Sequence, residues 1–190
     1  LPPHLHPMRI SGGKARGVTL RVDKKAVHRP AMDKLRQSIF SSIGPAVDGA
    51  RVCDLFAGTG SYGLEALSRG ARHATFVESN RRATAMIEEN VAIVAKSMQE
   101  NLDTLVATAD ATKWTASAEP FDILFVDPPY QLIRQLNDKL FALFGALLAA
   151  DGFVVFETPG QFAPMAEGWT LRKRLGKGID QPTACIIDRA

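Results

Sequence analysis

From residue 51 onward, short apolar runs alternate with amphipathic segments, and this alternation limits the possible folds more than any other feature. Apolar runs bounded by turn residues predict buried strands, whereas apolar residues spaced by three and four predict helices. Regular β–α alternation predicts an α/β fold with a doubly wound, mostly parallel sheet. The predicted strands cover residues 51–56, 73–78, 105–109, 121–126, 152–157, 169–175 and 183–188. The last two have no full helix between them, so we expect an antiparallel hairpin.

Helices are predicted at residues 62–68, 81–97 and 132–148, and in the second of them Ile87, Val91 and Val94 form an apolar stripe. An earlier helix starts near Arg29-Pro30 and is stopped by Gly44-Pro45. Residues 8–22 predict a small hairpin-like arm. With 190 residues and 46% hydrophobic content, we expect one compact domain. Its basic arm and first helix, residues 1–45, are expected to pack on a core of residues 46–190.

Bulk features predict a cytoplasmic, monomeric protein without a metal. The sequence has no apolar stretch long enough to cross a bilayer, and residues 1–7 lack the charge and apolar pattern of a signal peptide. Its two cysteines, Cys53 and Cys185, are too few for a disulfide framework or a zinc site. No extended apolar helix face remains once the sheet is covered, so a monomer is expected.

The first forty residues are strongly basic, with nine Lys or Arg against two Asp, whereas the rest of the chain is net acidic. This asymmetry favours a nucleic acid bound at one end, although a solvated basic face is the alternative. The predicted nucleic-acid-binding residues are Arg9, Lys14, Arg16, Arg29, Lys34 and Arg36, with Arg172, Lys173 and Arg174 as candidates at the other end. Arg29 is also a candidate for binding a cofactor carboxylate.

A glycine-rich loop, Asp54-Leu-Phe-Ala-Gly-Thr-Gly-Ser-Tyr-Gly63, joins the first core strand to its helix. With Glu78 at the end of the next strand, it satisfies the dinucleotide fingerprint and so predicts NAD binding as one alternative. Asp54 argues against NAD, because its carboxylate would repel a pyrophosphate but could bind an ammonium group. S-adenosylmethionine, whose amino-acid tail is positively charged, fits better, and S-adenosylhomocysteine would be its product.

Asp110 follows the third predicted strand at the same edge of the sheet. Its carboxylate could accept a hydrogen bond from the exocyclic amine of an adenine, or it could cap the amino-terminal end of segment 111–115. The two roles do not exclude each other. The predicted cofactor-binding residues are Asp54, Phe56, Gly58, Gly60, Glu78, Ser79, Asp110 and Ala111.

The segment Asp127-Pro128-Pro129-Tyr130 follows the fourth strand, and its two prolines force the chain out of the sheet. It places a carboxylate, fixed backbone carbonyls and an aromatic ring at the carboxyl edge, where ligands bind in open α/β sheets. Two acceptors beside a flat ring suit the exocyclic amine of a nucleic-acid base. We therefore predict that Asp127, Pro128, Pro129 and Tyr130 form the catalytic motif.

Five segments together resemble the bacterial RsmD-type 16S ribosomal RNA guanine-N2 methyltransferases. They are Met8-Arg-Ile-Ser-Gly-Gly, the Arg29–Phe40 segment, the loop and helix from Asp54 to Gly70, Phe76-Val-Glu78 and Phe121 to Tyr130. The resemblance implies a Rossmann-like, seven-stranded sheet with an antiparallel last strand. It also implies methyl transfer from S-adenosylmethionine to a guanine N2 in 16S rRNA, within a small-subunit particle. Ala31-Met32, Lys34 and the tail from Gly176 depart from the family pattern.

Three alternatives remain at this point. A DNA adenine or cytosine amino-methyltransferase shares the catalytic motif but usually carries a target-recognition domain. An NAD-dependent oxidoreductase explains the glycines but leaves Asp127-Pro-Pro-Tyr130 unexplained. A non-catalytic rRNA-binding assembly factor could keep the fold, although the intact Asp127 and glycines argue against decay.

Overall fold

The computed structural model describes residues 7–23, 30–115, 119–176, 178 and 181–190. Four helices cover α1 Pro30–Ile43, α2 Ser61–Ser68, α3 Arg81–Met98 and α4 Ile133–Leu147, with short 3-10 turns at Gly44–Val47 and Tyr130–Leu132. Seven strands cover β1 Arg51–Leu55, β2 His73–Glu78, β3 Thr104–Thr108, β4 Phe121–Val126, β5 Leu148–Pro159, β6 Trp169–Leu175 and β7 Pro182–Arg189. All predicted elements are present, although β5 is longer than expected at both ends.

The seven strands form one sheet in the order β3-β2-β1-β4-β5-β7-β6. Neighbours from β3 to β5 pair in parallel, whereas β7 is antiparallel to both β5 and β6. This confirms the doubly wound α/β fold, the antiparallel last strand and the β6–β7 hairpin. Every residue of β1 is buried, as expected for a central parallel strand covered on both faces.

The sheet separates two apolar clusters. On one face the arm, α1, α2 and α3 pack around Phe40, Phe76 and Phe125. On the other face α4 supplies Phe141 and Phe144, among others, to a second cluster. Since helices cover both faces, a site is expected at an edge of the sheet, and in open α/β sheets ligands bind at the carboxyl edge of the parallel strands.

The amino-terminal arm closes on itself through an antiparallel bridge between Arg9 and Thr19. It also packs on α2, because the backbone amide and hydroxyl of Ser11 both donate to the fully buried Glu65. Met8 and Leu20 of the arm belong to the same apolar cluster as the sheet. The arm is therefore held against α2 and the apolar cluster.

Among the described helices, none combines the length and apolar composition that a membrane span needs.

Candidate active site

A cavity of about 180 Å³ opens at the carboxyl ends of β1 and β4. The chain after β1 turns towards β2, whereas β4 lies on the other side of β1, so this is the switch point of the sheet. Asp54, Gly58 and Asp127 line the cavity together with Tyr62 and Phe56. The glycine loop and the Asp-Pro-Pro-Tyr motif, predicted separately from the sequence, thus share one cavity.

The loop amides donate to acceptors within the protein. Gly58 and Gly60 both adopt positive φ, 54° and 76°, which glycine adopts without strain. The N–H of Gly58 donates to Glu78 Oε2 at 3.0 Å, and that of Gly63 donates to Asp54 Oδ2 at 3.0 Å. A dinucleotide-binding loop instead presents its amides to a pyrophosphate. This loop presents carboxylates, so its geometry favours a cationic ligand over NAD.

Asp54 is buried at the floor of the cavity, with 1% of its surface exposed. Burial raises its pKa to about 8; the Gly63 amide partly opposes this effect, and the charge of Glu78 adds to it. A buried carboxylate is costly unless a cation or hydrogen bonds stabilise it. An ammonium or sulfonium group entering the cavity would supply that charge, so this observation fits the donor predicted from the sequence.

The other predicted cofactor residues lie along the same edge, further from the cavity floor. Glu78 is the last residue of β2, and its carboxylate accepts hydrogen bonds from the amides of Gly58 and Asn80. Ser79 beside it is exposed. Ala111 is buried behind the edge. Ligand pockets commonly measure about 300–1,000 Å³, so the cavity holds only part of such a ligand. The remainder would extend over this open edge.

Asp110 lies after β3 and exposes 49% of its side chain. Its Oδ1 accepts hydrogen bonds from both the amide and the hydroxyl of Thr112, at 2.9 and 2.8 Å. These two hydrogen bonds are the main reason that the pKa of Asp110 lies below its ordinary value. The local turn predicted as one alternative is therefore present, and the carboxylate remains open to a ligand as well.

Asp127 follows β4, and its partly buried carboxyl faces the cavity. Burial raises its pKa well above the ordinary value, and the charges of Glu157 and Asp54 raise it further. Pro128 is buried behind it, and the prolines are followed at once by the 3-10 turn that begins at Tyr130. The motif therefore ends the strand as predicted and holds its carboxyl in a fixed place.

Glu157 and Tyr62 belong to this site, although the sequence analysis did not select them. β4 and β5 pair in parallel with Val126 opposite Phe156, so Asp127 and Glu157 follow side by side. The hydroxyl of Tyr62 donates to Glu157 Oε2 at 2.6 Å, and that of Tyr130 donates to Oε1 at 3.3 Å. Glu157 could have been found from the sequence, because it is a carboxylate at the end of a predicted central strand.

The six predicted basic residues of the first forty divide into three groups, which are exposed, outside the described residues, or buried. Arg9, Lys14, Arg16 and Lys34 are exposed, with Lys14 paired to Glu100, whereas Arg29 lies outside the described residues.

Arg36 requires a correction, because it is buried and lies inside the protein rather than on the basic surface. Its guanidinium donates to Asp33 at 2.8 Å and to the Arg9 carbonyl at 2.7 Å, and its Nε lies 3.5 Å from Glu65. These contacts join the arm, α1 and α2, so Arg36 is not available to a nucleic acid.

A polar groove of about 600 Å³ runs between α1 and β6. Lys34 and Lys173 stand on its two sides, and its other lining residues are Gln37, Ser38, Ser41, Ser42 and Leu175. An adjoining cavity shares Lys34 and Ser38 and reaches Gly176 at the end of β6. The groove therefore runs towards the same edge of the sheet as the site, and its lining contains cations without a carboxylate.

Among the residues that the structure describes, no cluster of His, Cys, Asp and Glu could hold a metal ion.

Comparison with known proteins gives consistent matches over most of the chain. A family profile described as "Conserved hypothetical protein 95" matches residues 8–184. Ribosomal RNA small subunit methyltransferase D of Escherichia coli K12 is 36% identical over 172 residues, which cover 87% of this chain and 83% of that protein. The enzyme of the same name from Haemophilus influenzae is 29% identical and covers 90% of each chain.

A solved structure of a hypothetical protein from Thermus thermophilus also matches. It is 30% identical to this chain, covers 95% of it and 99% of its own length, and has a TM-score of 0.75. Sequence and fold therefore point to the same group of proteins.

Proposed function

The chain belongs to the conserved hypothetical protein 95 family of RsmD-type methyltransferases, and from this premise we propose that it methylates the exocyclic N2 amine of one guanine in 16S rRNA. The family itself carries the coarser activity, which is methylation of small-subunit ribosomal RNA with S-adenosylmethionine as the donor. The guanine, its N2 atom and the roles of single residues are the proposal.

One observation carries the proposal: the acceptor motif and the acidic glycine loop line a single cavity. Asp127 and Asp54 approach it from β4 and β1, and Gly58 leaves one wall open. A donor bound over Asp54 would therefore sit beside an amine held at Asp127. Positioning of two reactants in this way supplies a large part of the rate gain in such reactions.

The residues present fit S-adenosylmethionine, which supplies a methyl group on a positively charged sulfonium. Asp54 would bind the amino group of its tail, and Glu78 the ribose hydroxyls. Phe56 lines the same cavity, and Gly58 and Gly60 let the ligand approach the backbone. The acidic lining complements the positive charge of the donor. The product keeps the amino group but loses the sulfonium charge, so it would keep only part of that attraction.

The target amine must be made nucleophilic, because its lone pair is delocalised into the guanine ring. Asp127 Oδ and the Pro128 carbonyl would accept hydrogen bonds from its two hydrogens, which would draw the nitrogen towards tetrahedral geometry. The prolines hold these acceptors in advance of the reaction, so no reorganisation is needed when charge develops. Tyr130 would stack on the base, and the proton released from nitrogen would pass to Asp127 or to water.

The polar groove is the surface that we assign to the RNA backbone. Lys34 and Lys173 can neutralise phosphates, and the serine hydroxyls and the Gln37 amide can donate to phosphate or accept from 2′-hydroxyls. Arg9 and Arg16 of the arm are exposed cations that could bind further phosphates, whereas Lys14 is paired with Glu100. The target base must leave its stack to reach the cavity. We propose that a monomer acts in the cytoplasm on a small-subunit particle.

The function is tested with tritiated S-adenosylmethionine and three substrates: naked 16S rRNA, assembled small subunits and duplex DNA. We expect label in the ribosomal RNA, at the N2 atom of one guanine, with the particle as the better substrate. Label confined to DNA would contradict the RNA assignment. Label on adenine or cytosine in rRNA would contradict the guanine assignment but preserve the coarser activity.

The groove is tested by replacing Lys34 and Lys173 together with Ala and measuring RNA affinity across salt concentrations. Removing one lysine–phosphate interaction should reduce the salt slope by roughly 0.7–0.9, so the double variant should show a slope smaller by about 1.5. Lys96→Ala, on the exposed face of α3, is the matched control and should leave the slope unchanged. A wild-type slope in the double variant would contradict this surface.

A further inference from the structure

The chain contains two tyrosines, and the hydroxyls of both donate to one buried carboxylate, Glu157. Tyr62 comes from the start of α2 and Tyr130 from the turn after β4, while Glu157 lies in β5. Only 6% of the surface of Glu157 is exposed. A buried carboxylate costs free energy unless it is hydrogen-bonded, so these phenols are part of what makes its position tolerable.

The two rings differ in how firmly they are held. Tyr62 is buried and stacks almost parallel on Phe125, with centroids 5.3 Å apart and an interplanar angle of 8°. Tyr130 is 41% exposed and lies at the rim beside Asp127. Glu157 therefore connects the exposed ring of Tyr130 to the buried ring of Tyr62.

We infer that Glu157 is a positioning residue for methyl transfer. It fixes the position of the Tyr130 ring relative to Asp127, so that a base stacked on Tyr130 presents its amine to Asp127. This inference rests on the proposed function, since it needs a base to be stacked there. Glu157 acts through Tyr130 and touches neither the base nor the donor. Anchoring matters because misplacing a reacting group by about 1 Å can reduce the rate a hundredfold.

Electrostatics support this role. Burial raises the pKa of Tyr62 well above its ordinary value, and Glu157 and Asp127 raise it further, so this phenol remains a hydrogen-bond donor. Burial, Glu157 and Asp54 raise the pKa of Asp127. Asp54 from β1, Glu157 from β5 and the Tyr62 hydroxyl from α2 are titratable groups that interact with Asp127, and Arg36 of α1 acts on Tyr62. Removing the charge of Glu157 should lower the pKa of Asp127.

The test uses Glu157→Gln, Tyr130→Phe and the double variant, with tritiated S-adenosylmethionine and small ribosomal subunits. Glu157→Gln should reduce kcat about 10- to 100-fold while the Kd of S-adenosylmethionine changes less than about threefold. Tyr130→Phe should reduce kcat less. Because both changes act on one ring, adding Tyr130→Phe to Glu157→Gln should cost less than a further threefold. Fully multiplicative losses would overturn the inference.

The pH profile gives a readout that a purely structural role would not move. With saturating S-adenosylmethionine, the rise of kcat/KM for the RNA substrate with pH depends on ionisation of Asp127 in the proposed mechanism. This acidic limb should therefore shift to lower pH in Glu157→Gln. Glu167→Gln, at an exposed site, is the matched control and should keep the wild-type limb. An unshifted limb in Glu157→Gln would overturn the inference.

Carbon-13 NMR of tyrosine labelled at Cζ requires no activity, and the two tyrosines give one resonance each. In Glu157→Gln the Cζ resonances of both tyrosines should shift, because each hydroxyl loses a charged acceptor, and unchanged resonances would overturn the geometry. Tyr130→Phe changes an exposed residue, so it remains informative should Glu157→Gln fold poorly. A wild-type protein without methyl transfer would overturn the proposed function. An active wild type beside an unaffected Glu157→Gln would overturn only this inference.

Discussion

Asp110 and Asp127 occupy equivalent places in the fold and have opposite environments. Each follows a parallel strand at the carboxyl edge of the sheet. Asp110 is half exposed, and the hydrogen bonds from Thr112 lower its pKa. Asp127 is partly buried beside Glu157, and burial together with neighbouring carboxylates raises its pKa. Position at the edge therefore identifies candidates, whereas the surroundings decide which carboxyl has the higher pKa and holds a proton more readily.

The largest expected effect is that of Asp127→Asn. The amide cannot take up a proton, and it turns one acceptor into a donor facing the amine. Turnover should fall about 100- to 1,000-fold, as for other preorganised polar groups, with S-adenosylmethionine still bound. The measurement is kcat with small ribosomal subunits, together with calorimetric binding of the donor. Turnover within twofold of the wild type would show that Asp127 has no catalytic role and that it does not differ from Asp110 in function.

An intermediate effect is expected for Asp54, whose pKa of about 8 couples donor binding to pH. The cationic donor should bind the ionised carboxylate, so below about pH 8 binding must displace a proton. The affinity for S-adenosylmethionine should therefore fall as pH decreases, by at most about tenfold per unit. Calorimetry between pH 6 and 9 measures this slope.

Asp54→Asn should bind the donor roughly 10- to 100-fold more weakly at pH 8.5, with a flatter pH dependence, because a charge-assisted hydrogen bond is removed. Asp110→Asn is the matched control and should retain the wild-type slope. The same steep slope in Asp54→Asn would show that another group takes up the proton.

The smallest effect is expected at Asp110. Asn can still accept from Thr112 through its side-chain oxygen, so Asp110→Asn should keep its stability and at least about a third of its turnover. Asp110→Ala loses both hydrogen bonds and should lower the free energy of unfolding by about 1 kcal/mol. Urea denaturation and methyl transfer measure the two effects. A loss in Asp110→Asn as large as that in Asp127→Asn would break the comparison.

The sequence predicted the fold well because the sheet imposes local patterns. Central strands buried on both faces leave apolar runs, such as Phe121–Val126, and these are visible without any knowledge of neighbours. Asn80 marks the start of α3 by accepting the amides of Arg82 and Ala83. Such features depend on a few adjacent residues, which explains why the predicted elements are all present.

The contacts of the site were less visible because they join distant segments. Glu157 meets Tyr62 across 95 positions of sequence, and this contact exists only because β5 follows β4 in the sheet. Arg36 was predicted at the surface for the same reason, since its partner Glu65 lies on another helix. A charge pattern can show that a segment is basic, but the packing of the helices decides which cations remain exposed.

The insertion of β7 between β5 and β6 sets the order in which the sheet can be completed during translation. β6 is synthesised first, yet its partner in the sheet is β7, so it must wait while residues 176–189 are added. At about 5–20 residues per second, the wait lasts roughly one to three seconds. An unpaired strand is an aggregation risk, and charged edge residues are a common protection. The run Arg172-Lys173-Arg174 gives the waiting strand three adjacent positive charges, which oppose its pairing with other chains until β7 is added.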